Sequence, residues 1–210
     1  MDDKSVYASD GLYAQEIFKF LDDQGLQVCE DLHFLVMVAL TVEQRYFKWQ
    51  SRTYNSLQLA LKMNNIAGNK LDGHQLVAAI LAHDFAMGFL PFETINKSGK
   101  FNAKERKLMR THINSAAELI NRMQQWPDAK EMIIAHHEHV DGSGYPNGLR
   151  DDEIPEGAKV LAIIDAFTAQ GNKKIMHGVM EINRCSDTHF SSSWLIHFNE
   201  AVKQIFKPGD

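Results

Sequence analysis

The residues of this chain that are suited to metal ligation are spaced in a way that leaves few folds open: His83-Asp84, then His112, then His136-His137, then Asp165. Each lies in or at the end of a segment whose apolar residues recur with helical spacing, such as Leu76, Val77, Ala79, Ile80 and Leu81 ahead of His83. Donors this far apart in sequence meet only if several helices pack together and each turns its donor inward. Taken singly, each histidine has an ordinary reading as a core or surface residue. As a set they predict an all-α fold, a helical bundle with a metal site in its interior.

Helix signals along the chain agree with that fold. Amphipathic spacing predicts helices over 11–22, with Asp10 as cap, and over 31–49, opened by Asp31. Further helices are expected near 51–64 and over 72–85, the latter opened by Asp72. Asn102-Ala103-Lys104-Glu105 has the form of a capping box, starting a helix to about Gln125 that carries Leu108, His112, Ala116 and Leu119 on one stripe. Pro127 suits the first turn of the next helix, which ends at the double histidine. Helices over 157–169, 174–183 and 191–206 complete the expectation, with no strand.

The run His136-His137-Glu138-His139-Val140-Asp141-Gly142-Ser143-Gly144-Tyr145-Pro146 is hard to explain by structural need alone. Neutral imidazole is a common ligand of transition metals, and a second group must hold its other ring nitrogen to fix the tautomer. The loop that follows, with Gly142, Gly144, Gly148, Gly157, Pro146 and Pro155, has the composition of tight turns that bring backbone close to a ligand or partner. Tyr145 can stack on a base or reach a phosphate; equally, Tyr145-Pro146 can serve only to stiffen a connection between helices. Asp151, Asp152, Glu153 and Glu156 make the far side of the loop acidic, which is also how a solvated face reads.

Composition narrows the function classes. A chain of 210 residues, 44% hydrophobic, is long enough for a full core, and its net charge of −5 argues against general nucleic-acid binding. Cys29 and Cys185 are too few for a disulfide framework or a cysteine metal cluster. The acidic opening Met1-Asp2-Asp3-Lys4 has no leader character, and the apolar run from Leu32 to Val42 is too short to span a bilayer, so a cytoplasmic location without membrane insertion is expected. No His-Glu-x-x-His, paired Glu-x-x-His, phosphate-binding glycine loop or nucleophile elbow is present.

These motifs together resemble the HD-GYP family, a branch of the HD-domain metal-dependent phosphohydrolases whose best-known members hydrolyse cyclic di-GMP. Ala82-His83-Asp84 with Gly88-Phe89-Leu90-Pro91 is similar to the HD box. Met109 to His112 is similar to the helix of the third ligand, and His136-His137-Glu138 through Gly148-Leu149 to the GYP segment. Ala162-Ile163-Ile164-Asp165-Ala166-Phe167 continues the pattern to its last ligand. The resemblance covers roughly residues 51–170. It implies an HD-GYP-like domain over 51–210 behind a helical N-terminal extension over 1–50.

The resemblance also assigns roles. Asp84 would bridge two ions and position the attacking water, one ion lying with an upstream histidine, His83 and Asp165, the other with His112, His136 and His137. The mixed His/carboxylate set suits one or two ions of iron, manganese or zinc. Tyr145, Gly144, Lys174 and His139 are the candidate substrate contacts. The implied function is hydrolysis of cyclic di-GMP or a related cyclic dinucleotide in bacterial signalling, with diguanylate cyclase (GGDEF) domains as possible docking partners.

The chain departs from the family pattern at several positions. Ser51 stands where the first-metal histidine is expected, with Glu43 an unmatched acid upstream. Met87 replaces the HD-box lysine, Ala86 a glycine and His139 an arginine, and Asn172-Lys173-Lys174-Ile175-Met176 replaces the Arg-Pro-Tyr segment. These departures leave open a degenerate module that binds a nucleotide or a cyclase partner without turnover.

Overall fold

The computed structural model describes residues 4–46, 49, 51–97, 99–170 and 175–206, with side chains from residue 12 onward. Its α-helices are α1 (Lys4–Asp23), α2 (Glu30–Glu43), α3 (Arg52–Ile66), α4 (Gly73–Ala82), α5 (Phe92–Ile95), α6 (Ala103–Met123), α7 (Pro127–Ala135), α8 (Glu156–Thr168), α9 (Ile175–Arg184) and α10 (Ser192–Ile205). Short 3-10 turns at Phe85–Phe89 and Asp151–Glu153 follow α4 and precede α8. Among the described residues β structure is limited to two isolated bridges, so the all-α expectation holds. No helix among them is long and apolar enough to cross a membrane.

Helix α7 packs against α4, α6 and α8, while α3 packs against α4, α8 and α10. Helix α7 is therefore the common neighbour of the other helices that carry candidate ligands. Gly157 sets the approach of α8 to α7: a Cβ there would lie 2.4 Å from Met132 Cε, so only glycine admits this packing without displacing the methionine. One continuous core runs through the bundle, from Ile17, Leu21 and Leu35 to Leu57, Leu81, Ile133, Leu161 and Phe198. Side chains of this size, fully buried, contribute on the order of 1.5–3 kcal/mol each. Helices α1 and α2 thus share their core with the remainder of the chain.

Several helix starts follow the capping chemistry of the sequence. Asp72 accepts from the backbone N–H groups of His74 and Gln75 at the start of α4, and Asn102 with Glu105 forms the full capping box of α6. Pro127 opens α7. Other boundaries differ. Helix α1 starts at Lys4, which puts Asp10 inside the helix rather than at its cap, and Cys29 occupies the cap position of α2. Asp31, expected to open α2, instead accepts from Trp126 Nε1 at 2.9 Å.

Helix α2 also stops at Glu43, short of the expected residue 49. The Glu43 carboxylate accepts from Thr53 N and Thr53 Oγ1 at 2.8 and 2.6 Å, and Arg45 donates to the carbonyls of Gly88 and Leu90. Tyr46 and Trp49 stack with ring centroids 3.5 Å apart and bury against Met87 and Leu90. These contacts outweigh helix continuation. The expected start at 174 of the next-to-last helix lies outside the described residues.

Candidate metal centre

Two donors of the centre stand at helix ends: His83 caps α4, with Asp84 following it, and His136 caps α7, with His137 following it. His112 projects from the middle of α6 and Asp165 from α8. Three rings are held alike. His83 Nδ1 lies 2.7 Å from Ile80 O, His112 Nδ1 2.5 Å from Met109 O, and His136 Nδ1 2.7 Å from Ile133 O. A carbonyl only accepts, so Nδ1 carries the hydrogen in each ring, and Nε2 is the nitrogen that faces inward.

His112, His136 and His137 offer ligand atoms that all lie within 4.8 Å of one another. The His136 and His137 rings are 4.0 Å apart, and His137 is 5.2 Å from His112. Nε2 of both His112 and His136 is buried without a hydrogen-bond partner among the described residues. A buried lone pair without a donor is costly, and a cation at this point would satisfy all of these nitrogens. Burial, with repulsion from His137 and His83, holds His136 well below its ordinary pKa; burial pushes His137 down to about 4. Both are therefore neutral near pH 7, the form that ligates. The donor set fits a divalent transition ion.

His83, Asp84 and Asp165 form a second group whose ligand atoms likewise lie within 4.8 Å of one another. Their surroundings differ in kind. Arg52, the first residue of α3, places Nη1 on Asp84 Oδ2 and Nη2 on Asp165 Oδ1, and its guanidinium lies 3.9 Å over the Trp49 ring. His83 Nε2 sits 3.1 Å from Asp84 Oδ2 and 3.8 Å from Asp165 Oδ1. Burial opposes ionisation of Asp84, yet Arg52 and then His83 hold its carboxyl well below the usual range. Asp165 is likewise held low against burial, by His83 and Arg52. For His83 burial acts downward, but Asp84 and Asp165 prevail and raise it to about 9.

Spacing alone passed over Arg52. Ser51 has a left-handed backbone (φ 58°), and the helix begins at the next residue, whose side chain turns into the bundle. Glu43, the unmatched acid, is committed to Thr53 at the start of α3 and is not among either donor group.

Asp84, Asp165, His112 and His137 line the floor of a cavity of about 520 Å³. Its walls include Tyr145, Met87 and three cations, Lys97, Arg106 and Arg110. The Tyr145 ring stacks on His137 at 5.0 Å, with the Arg110 guanidinium 4.3 Å from its centroid. Lys97 pairs with Glu105 at 2.7 Å. Arg106 and Arg110 were also missed by the motif reading, although their spacing of four on the His112 helix puts both on one face.

The remaining sequence candidates fall elsewhere. His139 stacks on His189 at 3.9 Å and bonds Ser143 Oγ, and neither ring lines the cavity. At Gly144 a Cβ would lie 2.3 Å from His139 N, so this glycine serves close backbone packing. Glu138, buried, accepts from the N–H groups of Asn147 and Leu149 and folds the loop back upon the double histidine. Lys174 lies outside the described residues.

Comparison with known proteins gives a consistent result. A family model described as HD domain matches residues 34–181. The chain is 39% identical over 94 residues to a 3′3′-cGAMP-specific phosphodiesterase of Vibrio cholerae, covering 44% of this chain and 18% of the relative. It is 28% identical over 177 residues to a cyclic di-GMP phosphodiesterase of Pseudomonas aeruginosa, covering 82% of this chain and 41% of that one. These relatives are thus much longer than the region they share with the chain. An HD-GYP protein structure from Bdellovibrio bacteriovorus superposes with TM-score 0.60 at 16% identity, over 72% of this chain and 51% of the other, a likeness of fold.

Proposed function

The chain belongs to the HD domain family, and on that premise we propose that it is a metal-dependent phosphodiesterase of the HD-GYP kind acting on a cyclic dinucleotide. The observation that carries this reading is the meeting of His112 and His137, of the three-histidine set, with Asp84 and Asp165 in the lining of one cavity that also presents Lys97, Arg106 and Arg110. A cavity of about 520 Å³ falls within the roughly 300–1,000 Å³ range of ligand pockets. Arg106 and Arg110 give phosphates charge-assisted donors, and Tyr145, held between Arg110 and His137, offers a face on which a base can stack.

His112, His136 and His137 would hold an iron, manganese or zinc ion, with Asp84 beside them. Such an ion supplies Lewis-acid stabilisation of phosphoryl charge and acidifies water. Asp84, whose carboxyl stays ionised, orients the attacking water by accepting its hydrogen bond; its depressed pKa makes it a weak proton acceptor. Tyr145 and Arg110 position the phosphodiester above that point.

A second reading, binding of nucleotide or of a diguanylate cyclase (GGDEF) partner without turnover, is favoured by Met87 in place of a lysine and by Arg52 on the two carboxylates. Incubating manganese-loaded protein with cyclic di-GMP and with 3′3′-cGAMP, and resolving products chromatographically, separates the two. Linear dinucleotide or mononucleotide that vanishes in Asp84→Ala supports the enzyme. Tight nucleotide binding without product supports the binding module.

A further inference from the structure

We infer that Arg52 is a built-in cation standing in the His83–Asp84–Asp165 position, so that the chain holds one divalent ion, at the three-histidine set, rather than two. The inference rests on the reading of His112, His136 and His137 as a metal site.

The geometry is competitive at the level of atoms. The oxygens that a metal ion would share with His83 Nε2 are Asp84 Oδ2 and Asp165 Oδ1, and these are the atoms that Arg52 Nη1 and Nη2 take. Both cannot be served by a guanidinium and an ion at once. A guanidinium stays protonated at every accessible pH and is planar, which suits it to bridging two carboxylates. Arg52 is 6% exposed, and Trp49 stacks upon its outer face. To admit an ion, the side chain would have to leave a buried slot and carry its charge past Trp49. The Nε2 atoms of His83, His112 and His136 are alike buried without a hydrogen-bond partner among the described residues, but only the His83 group has carboxylates, and Arg52 takes both. The two donor groups therefore differ in what fills them.

The test is metal stoichiometry. Full-length protein loaded with manganese and freed of excess ion would be assayed by elemental analysis and by electron paramagnetic resonance. The wild type should hold about one ion per chain, with the six-line spectrum of an isolated Mn²⁺. Arg52→Ala and Arg52→Gln should each rise towards two, with the spectrum of a coupled pair, and His137→Ala should fall towards none. Two ions in the wild type, or one ion in both soluble Arg52 variants, would overturn the inference. Should neither variant fold, the wild-type count alone decides: one supports it and two refutes it. No ion in either wild type or variants overturns both this inference and the metal-site reading beneath it, whereas two ions in the wild type leave that reading intact.

Discussion

The two halves of the centre adjoin in one bundle, one carried by α6 and α7 and the other by α4 and α8, yet they meet the electrostatic problem of burial in opposite ways. The His112–His136–His137 half collects three imidazoles, and the Nε2 atoms of His112 and His136 are buried without a hydrogen-bond partner among the described residues. The His83–Asp84–Asp165 half collects two carboxylates and covers them with Arg52. A buried lone pair without a donor costs a few kcal/mol, far less than an isolated buried charge, so a neutral ring can await an external cation. A pair of buried carboxylates cannot wait in the same way, since like charges in low dielectric repel strongly. The two buried carboxylates thus create a demand for positive charge that Arg52 supplies.

Removal of the arginine side chain should break this contrast with the largest effect. With Arg52 absent, Asp84 and Asp165 are left facing each other beside His83, and breaking a buried pair by deleting one partner costs about 3–5 kcal/mol. The carboxylates retain 16% and 19% exposure, which places the expected loss toward the lower end. Urea denaturation of metal-free Arg52→Ala should show a midpoint shift of that size, and added Mn²⁺ should recover part of it. An unchanged midpoint would mean that the guanidinium is not what stabilises the carboxylates.

Acidity and alkalinity should act on the two halves separately. His137 is pushed down to about 4 in the fold against about 6.5 when unfolded, so the unfolded chain binds the extra proton between those values. Its contribution is therefore intact above pH 6.5 and is lost as pH falls towards 4. His83 is raised to about 9, so its contribution is complete below pH 6.5 and fades as pH rises through 9. Each spans about 2.5 pH units, on the order of 3 kcal/mol. Metal-free protein should accordingly be most stable near pH 6.5. His137→Gln should flatten the acid limb and His83→Gln the alkaline limb; a swap of the two limbs would reverse the assignment of charge to the two halves.

Much of the bundle was legible because its signals are local. The capping box at Asn102 and Glu105, the Asp72 cap and Pro127 at the head of α7 are short-range chemistry that a sequence displays directly. The donors His83, Asp84, His112, His136, His137 and Asp165 were legible through periodicity, and the fold brings them into two adjoining groups. Arg52 was not, because its partners are 32 and 113 residues away and its direction depends on the left-handed turn at Ser51. The end of α2 at Glu43 was hidden for a similar reason, since it depends on contacts to Thr53, Gly88 and Leu90. His139 shows the converse: adjacency in sequence to the double histidine suggested a phosphate contact, yet the turn after Glu138 sends the ring towards His189.

That last contrast gives the mildest expected effects and the sharpest test of which cations serve the cavity. Arg110 lies on the cavity wall over Tyr145, where a charge-assisted hydrogen bond to phosphate contributes about 1.5–3 kcal/mol. Arg110→Ala should therefore weaken cyclic dinucleotide binding by about ten-fold or more in calorimetry, and leave metal content unchanged because Arg110 belongs to neither donor group. His139 has its pKa lowered by burial and by His189, so its ring is neutral near pH 7 and carries no charge to a phosphate. His139→Gln should leave nucleotide affinity within two-fold of wild type. Should His139→Gln instead weaken binding as much as Arg110→Ala does, the nucleotide must reach the far side of the glycine loop, and the cavity above Asp84 and Asp165 would not be where its phosphates rest.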